Sequence, residues 1–496
     1  MPRQSSGVPL SGIVLDHNAS TSLYLQLYNA ISAMILGGTL QIGDKLPATR
    51  EISKELNISR STVNHAIDLL LSEGFLETRN RSGTYVSDAI QTELTEFQQR
   101  EDIQATTDEE MLRHYSPRGK RILETPKQEL YIGRNIFNMS SPDYRLFPRK
   151  LWLQYYSELL EGLEPEQAGY TEPAGNYSLR CEIARHIRSA RGIDCEPEQI
   201  VVTSGVQQGL NLLAQVLTSP GDRILVENPG PRIARPPLLA QGLDIVPVPV
   251  DGQGMNISAL GNRAGRLALI TPSKQHPLCM PMSLARRMQI LNWADEQDGF
   301  IVEDDYSSEF GYRGSPLAPL FALDQRSRVI YLGTFSKTLI PALRMGFMIL
   351  PKALAPIIAQ AMDSMNRSVS HLDQQVLARF IATGNFAKHM RKMRKIYSDR
   401  QDLLARLLRS ELSDYLSFDR YNAGFHIAAI FRDQSIDEEK LRASCIDHGL
   451  YFSPLGYYYH TDADRLRGIG LGFAGYTEDE ITYGIGVIKR AFELYS

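Results

Sequence analysis

Cysteine is scarce: four residues in 496, Cys181, Cys195, Cys279 and Cys445. Their wide spacing fits neither a disulfide framework nor a metal-binding pattern, so no metal centre is expected and a reducing compartment is. Long apolar runs are missing. No stretch approaches the roughly 18 consecutive apolar residues of a membrane helix, and the opening "MPRQSSGVPLSG" lacks the apolar core of a signal peptide. A cytoplasmic protein without membrane attachment is the expectation. An excess of either charge is also lacking. The formal net charge of −4 excludes a global basic field for nucleic acid or anionic lipid, so any contact with DNA must come from a local surface.

What is present is length and texture. A chain of 496 residues exceeds one ordinary core, and two or three domains are expected. Residues 1–19 carry little pattern and read as a loose tail. Residues 20–88 form a compact helical unit ending in a hairpin. Residues 89–125 are polar and acid-rich, with the composition of a linker. From residue 126 to 496 the texture changes. "QIVVTSG", "DRILVENPG", "GLDIVPVPV", "RLALITP", "GFIVEDDY", "RVIYLGT" and "RMGFMILP" are β-branched runs closed by turn residues, and helical patterns separate several of them. That alternation predicts an α/β fold with a largely parallel, doubly wound sheet. From about residue 374 long amphipathic helices mix with a few strands, as in a smaller α+β subdomain.

The amino-terminal unit divides cleanly. A first helix is predicted from about Leu23 to Leu36, a short one from about Thr49 to Leu56 and a third from about Arg60 to Ser72. "FLETRNRSGTYV" then reads as two strands joined by a polar loop, a wing. The turn "NIS" between two short helices has helix-turn-helix spacing, which presents the start of the third helix to base edges. Ser59, Arg60, Ser61, Thr62 and Asn64 are suitable donors there. Arg50, Arg79 and Arg81 are placed for phosphate or the minor groove. Acids and bases balance across the unit, which also fits a plain three-helix bundle with no nucleic-acid partner.

Lys337 lies in "VIYLGTFSKTLIPALRMGF", between two apolar strand-like runs and after a small-residue turn. Burial disfavours an ammonium, so a lysine there can be a neutral nucleophile able to form a Schiff base with an aldehyde; the plain alternative is a lysine that reaches the surface. Thr334 and Ser336 flank it with hydroxyls, and Arg344 follows seven residues on. In "VVTSGVQQGL" a strand, a Ser-Gly turn and a helix start offer free amides near Ser204, Gly205 and Val206. Such amides with an arginine fork suit a phosphate dianion. "GFIVEDDYSSEF" puts acids at a strand's carboxyl end, where open α/β sheets bind ligands. An acid can hold a pyridine nitrogen protonated there, and a tyrosine can bond a phenolate. Aldehyde, phosphate, ring nitrogen and hydroxyl together describe pyridoxal 5′-phosphate.

Two resemblances follow from these segments. "GDKLPATREISKELNISRSTVNHAIDLLLSEGFLETRNRSGTYV" resembles the winged helix-turn-helix of GntR-type regulators. "VVTSGVQQ", "VENPG", "TPSKQHP", "EDDYSSEF" and "YLGTFSKTLIPALRMGF" resemble fold-type I aminotransferases. Joined in one chain they resemble the MocR subfamily of bacterial transcriptional regulators. The resemblance implies that Lys337 carries the cofactor as a Schiff base, that Asp304 pairs with the pyridine nitrogen and that Tyr306 meets the ring hydroxyl. It also implies that Arg344, Thr334 and Ser204 hold the phosphate. Glu303 and Asp305 are expected to be structural or solvated acids. A head-to-tail homodimer on double-stranded operator DNA, answering to an amine or amino-acid-like effector or to pyridoxal phosphate itself, is the implied working form.

The sequence departs from the aminotransferase pattern at three places. A stacking aromatic gives way to Pro231 and Arg232 in "ENPGPRIAR". His276 stands where aminotransferases place an asparagine beside the ring hydroxyl. Near the carboxyl end "RLRGIGLGFAGY" puts Gly470 where a substrate-carboxylate arginine often sits, with Arg465 and Arg467 out of register. A regulator that uses the aminotransferase-like domain for sensing, with at most weak half-transamination, is therefore expected. The alternatives are an aminotransferase with a DNA-binding appendage and a cofactor-free dimerisation scaffold.

Overall fold

The computed structural model describes residues 10, 12–17, 19, 21–79, 82–88, 108–125, 137–165, 168–260, 264–312, 317–421, 423–461 and 465–494. The chain divides into two compact units, Met1–His114 and Tyr115–Ser496.

In the first unit, α1 (Leu23–Leu36), α2 (Thr49–Glu55) and α3 (Arg60–Ser72) precede a hairpin of β1 (Leu76–Arg79) and β2 (Gly83–Val86). Val63, Ala66, Ile67 and Leu70 recur at helical spacing and are buried in α3; each large aliphatic contributes about 1.5–3 kcal/mol on burial. The Ser59 hydroxyl caps α3 by accepting from the Thr62 amide at 3.1 Å. The expected loose tail fails at its described residues. Leu10 and Ile13 are buried in this core, and the Asp16 amide donates to Gln26 at 2.9 Å. Two apolar side chains in a polar stretch are too few to register as a pattern, yet enough to dock it.

The second unit is built on an eight-stranded sheet in the order β3-β10-β9-β8-β7-β4-β5-β6. Its strands are β3 (Ile200–Thr203), β4 (Arg223–Asn228), β5 (Asp244–Asp251), β6 (Gly254–Met255), β7 (Leu267–Ile270), β8 (Phe300–Asp304), β9 (Val329–Thr334) and β10 (Gly346–Ile349). All seven apolar runs quoted from the sequence are strands here. The five central neighbours β9-β8-β7-β4-β5 are parallel, whereas β10 runs antiparallel to both β3 and β9. Core clusters cover the sheet: Leu210, Leu213 and Ile358 belong to one, Ile290, Trp293 and Leu320 to another.

The smaller sheet, order β11-β12-β14-β13, is antiparallel throughout; its strands are β11 (Leu416–Ser417), β12 (His426–Phe431), β13 (Ser453–Pro454) and β14 (Gly468–Gly472). A distant segment completes it. The Gly472 amide donates to the Phe137 carbonyl at 2.9 Å, and Asp143 forms a buried ion pair with Arg400 at 2.9 Å. Within the expected linker, residues 89–107 lie outside the described residues. Pro117–Glu124 is a helix capped by Ser116, and it belongs to the second unit. Its Arg121 guanidinium lies 3.0 Å from where a Gly242 Cβ would stand.

Close packing under the lysine strand is tested by Gly333. A Cβ there would stand 2.2 Å from the Phe347 ring, so Gly333→Ala is expected to destabilise the second unit by about 1–3 kcal/mol. Urea unfolding followed by circular dichroism should show the lowered midpoint; an unchanged midpoint would mean that the ring has room to move.

Candidate functional site

Strand alternation sorts the acidic run at the end of β8 into two roles. Glu303 accepts from the amides of Leu320 and Phe321 at 3.1 and 3.0 Å, holding the start of a short helix. Asp305 pairs with buried Arg191 at 3.0 Å and accepts from Tyr331 at 2.8 Å. Both are structural. Asp304, between them, lines a cavity of about 410 Å³ together with Tyr306, His276, Thr334, Ser336, Lys337 and Arg344. Burial, with the Asp305 charge beside it, raises the Asp304 carboxyl to about 7, although the Lys337 ammonium opposes the rise.

Lys337 follows β9 and donates to the Ser140 carbonyl at 2.7 Å. Burial lowers its pKa to about 8, against the raising pull of Asp304. The amine is therefore neutral near pH 7 far more often than an ordinary lysine, as a nucleophile requires. His276 is neutral: burial and the charges of Lys337 and Lys274 push it down to about 3. Its ring meets Tyr306 and Tyr458 edge-on, with centroids 5.5 and 4.9 Å away.

The opposite end of the cavity is built for an anion. Gly205, at φ 112°, precedes the helix Val206–Leu217, whose amino terminus has no side-chain cap. The Arg344 guanidinium lies 3.5 Å from where a Gly205 Cβ would stand, and Arg344 itself holds a left-handed backbone at φ 46°. That conformation costs a non-glycine residue roughly 1–2 kcal/mol. Gly205, Val206 and Gln207 line the cavity. Ser204 does not share that lining, and its amide donates to Gln208 at 2.6 Å.

Asp304 Oδ1, Tyr306 Oη and His276 Nδ1 are buried without a hydrogen-bond partner among the described residues. Each unmet buried polar atom costs about 1–3 kcal/mol. An aromatic ring with a protonated nitrogen and a hydroxyl would satisfy them, and a phosphate would satisfy the other end. The donor set thus fits the group that the sequence implied.

The departures have physical causes. A Cβ on Gly470 would stand 2.0 Å from the Met139 sulfur, so Met139 fills the space an arginine would need. Arg232 stacks on Tyr457, its guanidinium carbon 3.5 Å from the ring centroid, and donates to the Tyr457 carbonyl at 3.2 Å. Met139, Ser140, Tyr144, Gln207, Tyr457 and Tyr458 line the cavity and were not found from sequence. Except for Gln207, in the first turn of the helix Val206–Leu217, they sit in segments without strand or helix periodicity.

In the first unit, Arg50, Ser59, Arg60, Ser61 and Asn64 are exposed and Thr62 is half-buried. The hydroxyls of Ser59, Ser61 and Thr62 bond one another at 2.7 and 2.8 Å, so they order the helix start. Arg79 is already paired with Glu77 at 2.7 Å and lies over the Tyr85 ring. Arg81 lies outside the described residues.

Residues 23–86 match the family of bacterial regulatory proteins, gntR type, and residues 134–488 match aminotransferase class I and II. The probable rhizopine catabolism regulatory protein MocR of Rhizobium meliloti is 35% identical over 97% of this chain and 96% of its own length. This chain belongs to the MocR group of GntR-type transcriptional regulators. The pyridoxine biosynthesis regulator PdxR of Corynebacterium glutamicum is 31% identical, over 97% of this chain and 98% of that protein. The crystal structure of a kynurenine aminotransferase from Pyrococcus horikoshii matches 78% of this MocR-type chain and 98% of its own, with a TM-score of 0.68 and 26% identity. The chain is accordingly a DNA-binding regulator with an aminotransferase-like domain. Among the described residues no helix is long and apolar enough to cross a membrane.

The Lys337 environment predicts its titration. Acetylation by limiting acetic anhydride, mapped by peptide mass spectrometry, should rise through a midpoint near 8 rather than the ordinary ~10.4 of lysine. Asp304→Asn removes the charge that holds the pKa up, so its midpoint should fall below that of the parent. An ordinary lysine midpoint in the parent would contradict the buried amine.

Proposed function

We propose that this regulator holds pyridoxal 5′-phosphate in the cavity at the ends of β8 and β9 and senses a small amine or amino-acid-like effector there. The observation that carries the reading is the set of unpartnered buried atoms on Asp304, Tyr306 and His276 facing the same cavity as Lys337. When bound, the cofactor supplies an electrophilic aldehyde on an electron-withdrawing ring. The chain's own residues do the remaining work. Lys337 offers the amine. Asp304, ionised beside a cationic nitrogen, keeps that nitrogen protonated. Tyr306 and His276 meet the ring hydroxyl. Arg344, Thr334, Ser336 and the amides of Gly205 and Val206 orient the phosphate.

Sensing is favoured over turnover by Met139. An α-carboxylate has no arginine at Gly470 to anchor it, because the thioether occupies that volume. The relative named for pyridoxine biosynthesis supports a second form of the reading, in which pyridoxal phosphate itself is the signal. A winged helix reads one half-site, so we place the regulator on operator DNA as a head-to-tail homodimer in which Arg60, Asn64 and Arg50 face the duplex. Effector binding regulates DNA contact only by favouring one arrangement of the dimer over another.

Lys337→Ala is expected to lose the visible absorbance of the cofactor and the effector response while keeping DNA affinity. A variant that still responds in a reporter assay would refute sensing through Lys337. Arg60→Ala should lower specific operator affinity by about 1–3 kcal/mol with cofactor absorbance intact; equal affinity in a fluorescence titration would remove the recognition-helix assignment.

A further inference from the structure

Among the described residues lining the cavity, four basic side chains stand against one carboxylate: Lys337, Arg344, Arg232 and Arg235 against Asp304. Pyridoxal phosphate held as proposed accounts for Asp304, Lys337 and Arg344. The first meets the ring nitrogen, the second the aldehyde and the third the phosphate, beside the uncapped start of the helix Val206–Leu217. Arg232 and Arg235 are left over.

Both come from the turn after β4, where Arg232 opens the 3-10 turn Arg232–Ala234 and Arg235 the short helix Arg235–Ala240. Both are half-buried, and neither forms an ion pair among the described residues. Their hydrogen bonds go to neutral acceptors. Arg232 donates to the Tyr457 carbonyl at 3.2 Å. Arg235 donates to the Tyr459 carbonyl at 3.0 Å and to His460 Nε2 at 3.3 Å. A guanidinium carries five N–H groups, so each arginine keeps several uncommitted.

The pair is unfavourable to itself. Burial and the Arg232 charge lower Arg235 to about 10, and only the Tyr457 hydroxyl opposes them. Burial and both guanidiniums push His460 down to about 3, so the imidazole is neutral. Tying this turn to residues 457–460 requires donors but no charge, and side-chain amides would do it without the repulsion. Two like charges held together partly out of water, with no acid beside them, are matched to an anion from outside the chain.

We propose that Arg232 and Arg235 form a second anion site in the cavity, separate from the phosphate cradle, and that the effector is an amine bearing a dianionic acid, a phosphate monoester or a phosphonate. A monoanion neutralises one guanidinium of the two, and a dianion neutralises both. A tetrahedral acid also offers several oxygens to two guanidinium forks. The usual place for a substrate carboxylate is closed, because Met139 fills the volume at Gly470. An acid on the effector therefore has these two arginines as its partners. The inference rests on this cavity being the effector site and names what that effector carries.

The test uses full-length protein at about pH 8, above the second phosphate pKa of about 6. The probes are three primary amines with the same two-carbon spacing: ethanolamine, β-alanine and O-phosphoethanolamine. Arginine labelling by phenylglyoxal, mapped by peptide mass spectrometry, reads the site whether or not a cofactor is bound. O-Phosphoethanolamine should slow labelling of Arg232 and Arg235 severalfold, and ethanolamine should leave it unchanged. With pyridoxal phosphate bound, O-phosphoethanolamine should change the cofactor absorbance at a concentration about tenfold or more below that needed for ethanolamine, with β-alanine between them. In Arg232→Gln/Arg235→Gln the three amines should converge while the absorbance before titration is kept. Arg232→Lys/Arg235→Lys should retain part of the preference, and circular dichroism checks both folds. Labelling unaffected by O-phosphoethanolamine, or protection confined to Arg344, would overturn the proposal. So would a folded glutamine pair that no longer holds the cofactor, which would assign both arginines to the phosphate cradle. A parent protein that takes up no pyridoxal phosphate would refute the cofactor reading instead, and the labelling result would still decide the anion site.

Discussion

The arrangement depends on one half-buried amine whose charged form its surroundings disfavour. Lys337 sits at the end of β9 with a single carbonyl acceptor, Ser140, and one opposing carboxylate nearby, Asp304. Burial weakens the ammonium and the carboxylate together, so each is poised close to neutrality. Parallel strands put both groups at the same edge of the sheet, and the pleat directs Glu303 and Asp305 to structural tasks on the other side. His276, neutral and closed in by Tyr306 and Tyr458, completes a wall with unmet polar atoms. Such a wall is unfavourable when bare and favourable around a polar aromatic ring, which is why the cavity reads as a binding site.

The same scaffold that serves aminotransferases is altered where an amino-acid substrate would be anchored. Gly470 lies in the middle of β14, and Met139 arrives from a segment more than 300 positions earlier to fill the space above it. Nearby, Asp143 is locked to Arg400 and Arg145. The segment 137–145 therefore both closes the small subdomain and supplies Met139 and Ser140 to the cavity. A ligand that changes the contacts of Ser140 or Met139 acts on packing as well as on chemistry, and that is how occupancy can become a change of shape.

Much of this was legible in the sequence. The strand runs are short but β-branched and ended by turns, so their existence followed from pattern. The three helices of the first unit followed from their spacing around the turn "NIS", and the wing from two strand-like runs joined by a polar loop. Other features depended on contacts between distant residues, which periodicity does not encode. Arg79 carries its own partner in Glu77, two residues away on the same strand face. The Ser204 amide is claimed by Gln208 one turn into the following helix. Met139 opposite Gly470 is a pairing across most of the second unit, and β6 is too short, at two residues, to show alternation. Leu10 and Ile13 bury in the first core from within a stretch whose composition resembles a tail.

The most direct test of the account is chemical. Protein incubated with pyridoxal 5′-phosphate would be reduced with borohydride, digested and mapped by mass spectrometry. The account predicts one phosphopyridoxyl group per chain, on the peptide containing Lys337. Label spread over surface lysines with none at Lys337 would contradict it, and the buried amine would then be a structural lysine rather than the point at which this regulator meets its cofactor.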